Sequence, residues 1–145
     1  MIDCNYTPEQ THVIQLAAAY GEPYGYRKTL AAIVLQESIV GRYVVKVNPS
    51  DKPYGSYGIT QVKLDTAMWL LGVKSSWKAK AVIVPRLIND DLYALGLAVK
   101  KLDSVKKVSG TWLQLWKNYN GSMVYAHNIR DNIRHLERCG YFSWS

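Results

Sequence analysis

Apolar residues recur at helical spacing over most of the chain, and the breaks between runs fall on residues that cap or stop helices. Thr7-Pro8-Glu9-Gln10 predicts a helix start: Thr7 caps, Pro8 suits the first helical position, and Gln10 completes a capping-box spacing. That helix runs through Val13, Ile14 and Ala17-Ala18-Ala19 to Gly21, with Pro23 beyond it. A second helix is expected over residues 26–38, with Leu30, Ile33 and Val34 in its apolar stripe and Gly41 after its end. Residues 42–47 are β-prone, and Asn48-Pro49-Ser50-Asp51-Lys52-Pro53 reads as a loop. A helix is expected over residues 60–71 with Gly72 as its stop, whereas Pro85 limits residues 77–87 to short turns. The C-terminal half is more regular. Asn89-Asp90-Asp91 caps a helix with Leu92, Leu95, Val99 and Leu102 on one face. Ser109 precedes a helix carrying Trp112, Leu115, Trp116 and Tyr119. After a break at Asn120-Gly121-Ser122, a last helix aligns Ala126, Ile129, Ile133 and Leu136. The expected fold is mainly α, α+β in detail, with a short extended or β insert after the second helix.

Composition narrows the class. A chain of 145 residues that is 48% hydrophobic is expected to form one domain, residues 1–145, with a core that needs no metal or disulfide. The formal charge of +7 favours a polyanionic partner, though a solvated basic surface gives the same count. Eleven Tyr and five Trp against one Phe supply rings with polar handles, suited to stacking on sugars, bases or partners. No stretch reaches the length of a membrane span. Met1-Ile2-Asp3-Cys4-Asn5 lacks the basic and apolar regions of a secretory signal, so the chain is expected to start in a cytoplasm or to have lost its signal. Cys4 and Cys139 lie at opposite ends, which leaves a bridge between them open. His12, His127 and His135 are too scattered for ligand spacing, and neither a metal nor a cofactor is expected.

One carboxylate stands out. Glu37 follows Leu30, Ile33 and Val34 by seven, four and three residues, so helical geometry puts it on their face. Burial there, and the partial negative charge at a helix C-terminus, both favour its protonated form. A glutamate that keeps its proton near neutral pH is what protonation of a glycosidic oxygen requires. The plainer reading is a helix glutamate paired with Lys28 or Arg42. About twenty residues on comes a glycine-punctuated turn, Tyr54-Gly55-Ser56-Tyr57-Gly58-Ile59-Thr60-Gln61.

Gln36-Glu37-Ser38 followed by Gly55-Ser56-Tyr57-Gly58-Ile59-Thr60-Gln61 resembles the signature of the soluble lytic transglycosylase catalytic domain, a lysozyme-like fold. The family's later elements have counterparts in order: Asn89 before a long helix, then Tyr119-Asn120-Gly121. The resemblance covers roughly residues 30–128 and implies roles residue by residue. Glu37 would be the single acid/base. Gln61 would line the groove with Ser56, Tyr57 and Gly58 and bind the sugar or its N-acetyl group. Tyr119 would orient Glu37 or the substrate, Asn120 would support the groove, and Asn89 would be a further substrate-binding residue. Ser38 would hold local structure. The plainer readings are a turn glycine for Gly58 and a core aromatic for Tyr119. The chain departs from the family in a longer loop between Glu37 and Gln61, in Thr60 where Met or Leu is usual, and in Gly121-Ser122 after the Tyr-Asn pair. The family's loop serine has two candidates, Ser50 and Ser56.

The resemblance implies cleavage of the β-1,4 MurNAc–GlcNAc bond of peptidoglycan without water. The substrate's N-acetyl oxygen assists departure, and the 6-hydroxyl, deprotonated by the same glutamate, closes a 1,6-anhydro ring. A two-carboxylate hydrolase would instead need a partner about 5–5.5 Å from Glu37 if retaining, or about 6.5–9.5 Å if inverting. Asp51 and Asp65 are the candidates, and Asp51 serves the alternative lysozyme-type reaction. Glycan strands are the expected partner, with nucleic acid not the primary ligand and the protein a monomer. The compact chain resembles a phage endolysin or virion-associated muralytic protein, made in the host cytoplasm and acting on the wall in the periplasm. The readings from other classes are a basic module for nucleic acid or membrane, using residues 100–107 and 130–138, and a structural virion protein without activity.

Overall fold

The computed structural model describes residues 3–38, the backbone of Val45–Lys46, and residues 55–142. Among these, seven α-helices and a small antiparallel sheet make the chain mainly helical, as its hydrophobic pattern predicts. Helix α1 (Pro8–Gly21) opens on the expected capping box between Thr7 and Gln10, and a 3-10 turn, Glu22–Tyr24, leads out of it. Helix α2 (Arg27–Ser38) is the centre of the packing. Thr29, Leu30, Ala31, Ala32, Ile33 and Val34 are all buried in succession, which a helix achieves only when neighbours cover it all round.

Two apolar clusters meet on α2. Ala31 packs with Ile14, Ala18 and Leu136. Leu30, Ala32, Ile33 and Val34 face a larger cluster reaching through Leu95, Leu102, Trp116 and Ile129. The small Ala17, Ala18, Ala31 and Ala32 let the α1 and α2 backbones approach closely, and α7 (Met123–Arg138) closes the other flank. Each fully buried Leu or Ile contributes about 1.5–3 kcal/mol. Two long-range polar contacts fix the register: Trp116 Nε1 donates to Thr29 Oγ1 at 3.2 Å, and Tyr26 Oη donates to Asp103 at 2.7 Å.

The sheet has the order β1 (Val45–Lys46), β2 (Ser56–Tyr57), β3 (Val62–Lys63), with Tyr57 opposite both Val45 and Val62. Residues 60–63 are therefore not helical as expected. They turn and pair back on β2, and α3 (Leu64–Leu71) starts only afterwards, stopped at Gly72 as expected. Helix α4 (Trp77–Asn89) forms despite Pro85. Pro85 cannot donate to Ala81, but both residues lie on the exposed side, where water can take up the freed carbonyl. Asp90 caps α5 (Asp91–Lys106), Thr111 caps α6 (Trp112–Asn120), and Ser122 caps α7. Two residues of the expected apolar stripes stand outside the core: Leu92 is 51% exposed and Trp112 52%. No helix among the described residues is long and apolar enough to cross a membrane.

Cys4 and Cys139 form a disulfide across 135 residues of sequence, with their Cα atoms 5.6 Å apart. It pins the segment before α1 to the end of α7, where Tyr6 Oη also meets His135 Nε2 at 2.8 Å. Because the closed loop is nearly the whole chain, the bridge restricts the unfolded state strongly. Reduction, or Cys4→Ser with Cys139→Ser, is expected to lower unfolding free energy by about 2–4 kcal/mol in urea titration, with the helical circular dichroism retained in water.

Candidate active site

Glu37 occupies the last turn of α2, half-buried, on the side of Leu30, Ile33 and Val34. The turn is braced from α7, where Asn132 Nδ2 donates to Gln36 Oε1 at 3.1 Å and to Ala32 O at 3.4 Å. Ser38 is buried and its hydroxyl donates to Val34 O at 3.0 Å, so it serves the helix end.

Helices α6 and α7 bring two phenols to Glu37. Tyr119 and Tyr125 are 5% and 7% exposed, and their rings stack with centroids 6.1 Å apart. Burial pushes the Tyr119 hydroxyl far above its ordinary pKa, and the negative charge of Glu37 pushes it further. Tyr125 is raised too, first by burial, then by Tyr119, and then by the charge of Glu37 and a hydrogen-bonding approach to it. That approach falls short of a well-formed hydrogen bond at the Tyr125 hydroxyl. Both phenols thus stay protonated, within electrostatic reach of the Glu37 carboxyl.

The third group is a cation. Lys101, midway along α5, holds its ammonium 4.3 Å from the centroid of the Tyr119 ring. Desolvation lowers its pKa, Glu37 and Asp65 oppose that by attraction, and Lys63 adds to it by repulsion. Lys101 therefore lies within electrostatic reach of the α2 end and of the β3–α3 junction. Its attraction for Glu37 is mutual: it favours the charged carboxylate, against the helix end.

The glycine-rich stretch is the hairpin joining β2 to β3. Gly58 has φ of +83°, and a Cβ there would collide with Leu87 O, so glycine is required on both counts. Gln61, with φ of 51°, is the one described non-glycine residue with positive φ. Such a conformation persists only where its surroundings hold it. Here Gln61 N and Nε2 both reach Gly58 O, at 3.1 and 2.9 Å, while Thr60 Oγ1 ties the turn to Ala94 O at 3.3 Å.

The expected site residues thus fall into groups. Tyr119 meets Glu37. Gln61 is buried and its amide nitrogen closes its own turn. Ser56 and Tyr57 are half-buried in β2, opposite Lys63 and Val62. Asn89 and Asn120 are the exposed last residues of α4 and α6. Asp51 and Ser50 lie outside the described residues. Asp65, exposed in the first turn of α3, accepts from Thr66 N at 2.7 Å and shares Lys101 with Glu37. Sequence reading missed Lys101 and Tyr125. Lys101 carried the signal that marked Glu37: it follows the buried Ala94, Leu97 and Ala98 by seven, four and three residues.

These shifts set the alkaline behaviour. Above pH about 10 the unfolded phenols lose protons that folded Tyr119 and Tyr125 keep, so stability falls as pH rises. Lys101 acts the other way: its lowered folded pKa means that the cost of burying its charge is relieved with rising pH. The raised tyrosines outnumber it. Unfolding free energy is expected to fall above pH about 10, and Tyr125→Phe to make the fall shallower by about 1.4 kcal/mol per pH unit in urea titrations. An unchanged slope would mean that Tyr125 ionises normally in the folded state.

No family model, no curated protein and no solved structure matches this chain.

Proposed function

We propose that this protein cleaves the β-1,4 MurNAc–GlcNAc bond of peptidoglycan as a lytic transglycosylase, with Glu37 as its single acid/base. The observation that carries the proposal is the meeting of the Tyr119 and Tyr125 hydroxyls and the Lys101 ammonium around a carboxyl at the end of the buried α2. Glu37 gives its proton to the glycosidic oxygen as the C1–O bond breaks, and the substrate's N-acetyl oxygen assists the departure. The resulting carboxylate is held by Lys101 and by the protonated phenols, which keeps it oriented for a second transfer. Glu37 then takes the proton of the 6-hydroxyl as that oxygen bonds to C1, closing a 1,6-anhydro ring and regenerating the acid.

The +7 charge suits an anionic wall polymer. In this proposal the enzyme is a monomeric, phage-type muralytic protein made in a host cytoplasm and acting on the wall in the periplasm or from a virion.

Release of soluble fragments from purified peptidoglycan tests the assignment. Glu37→Gln is expected to lower the rate by about 10²–10⁴-fold, the usual contribution of a positioned acid. Asp51→Asn is expected to leave it near wild type. Full activity in Glu37→Gln would defeat the proposal. A loss in Asp51→Asn as deep as that in Glu37→Gln would move the reaction to two-carboxylate hydrolysis.

A further inference from the structure

At the other end of α2, about 15 Å from Glu37 along the helix axis, lies a cavity of about 410 Å³. Its walls include Glu22, Arg27, Lys28, Trp112, Trp116 and Ile133. The volume is within the range of small-molecule sites. Trp112 stands half out of the protein and stacks on Trp116, ring centroids 5.9 Å apart and planes 28° apart. Trp116 is in turn fixed by the bond from its indole nitrogen to Thr29. The result is a rigid aromatic platform with one ring open to solvent. A smaller cavity of about 210 Å³, bounded by Lys106, Ser109 and Thr111, shares Trp112 as a wall. The open side of the tryptophan platform is therefore flanked by recessed surface in two directions.

The charges around the larger cavity select the ligand. Arg27 Nε lies 3.5 Å from Glu22 Oε2, and its Nη2 donates to Phe142 O at 2.8 Å. Lys28 Nζ lies 3.4 Å from Glu137 Oε2. Each lining cation already has a carboxylate, Arg27 the wall residue Glu22 and Lys28 the neighbouring Glu137 outside the wall, so a bare anion gains little here. Held by these contacts, the same groups offer both donors and acceptors beside a flat apolar ring. A pyranose has that complementary character, with C–H bonds on one face and hydroxyls at its edge.

We propose that this cavity is a second saccharide-binding site, taking a pyranose ring of a β-1,4-linked glycan with its apolar face on Trp112. The site does not require Glu37 to be catalytic; only the expectation that it prefers N-acetylated rings rests on the proposed function. In a glycan-cleaving enzyme it would hold the strand at a distance from the cut and raise the local concentration of bonds at Glu37.

The test is a titration of the labelled protein with chitotetraose and with cellotetraose at millimolar concentration, following the tryptophan indole N–H signals by NMR. The Trp112 and Trp116 signals are expected to shift to saturation with at least one sugar, equally in wild type and Glu37→Gln, while those of Trp69 and Trp77 stay in place. Trp112→Ala is expected to weaken the Trp116 response about tenfold or more, and Trp112→Tyr to restore most of it. Absence of movement with both sugars in the wild type would overturn the proposal, as would an undiminished Trp116 response in a folded Trp112→Ala. Retained cleavage by Glu37→Gln would end the catalytic assignment and leave this titration unaffected.

Discussion

The rest of the structure depends on the burial of α2 on every side. A helix with six successive buried residues can be reached by solvent only at its ends. Each end carries polar side chains beside a cavity or among buried hydroxyls. The N-terminal end presents Arg27 and Lys28 beside the tryptophan platform. The C-terminal end carries Glu37 in line with the core stripe, so the carboxylate meets the elements that cover that stripe. Those are α5, α6 and α7, and the polar atoms they bring are Lys101, Tyr119 and Tyr125. The site is thus a consequence of packing: a charged group at the margin of a dry core meets the few polar groups that neighbouring helices carry to the same margin.

Opposing influences act at that margin. Burial and the helix end act against charge on Glu37, whereas Lys101 and the two phenols act for it. The proposed acid/base role asks Glu37 both to give and to take a proton. The β2–β3 hairpin stores a different kind of constraint. Gly58 presses against Leu87, and Gln61 holds a backbone conformation that side-chain-bearing residues rarely adopt. Two bonds to Gly58 O and one from Thr60 to α5 keep the turn fixed relative to the helix that carries Lys101.

Much of this was legible from local rules. Thr7 with Gln10 announced α1, and the helix-stop glycine Gly72 ended α3 where expected. Glu37 and Tyr119 were marked by their registers against apolar stripes. What local rules missed depended on partners. Residues 60–63 read as a helix start because nothing in that window shows that Val62 and Lys63 pair with Tyr57 and Ser56. Pro85 read as a breaker because its tolerance depends on which side of α4 faces water. Lys101 was lost among the basic residues of positions 100–107, although its spacing from Ala94, Leu97 and Ala98 set it apart from Lys100, which is exposed. Tyr125 offered no signal of its own; its importance arises from stacking on Tyr119 across a helix break.

The central claim is that Glu37, alone among carboxyls, both gives and takes the proton. Mass spectrometry of the sugar ends released from purified peptidoglycan by the wild-type protein tests it most directly. A single acid/base acting without water leaves MurNAc ends lighter by one water than hydrolysis does, and the account predicts that these 1,6-anhydro ends dominate. Reducing ends throughout would contradict it and assign the reaction to a water-activating pair of carboxyls.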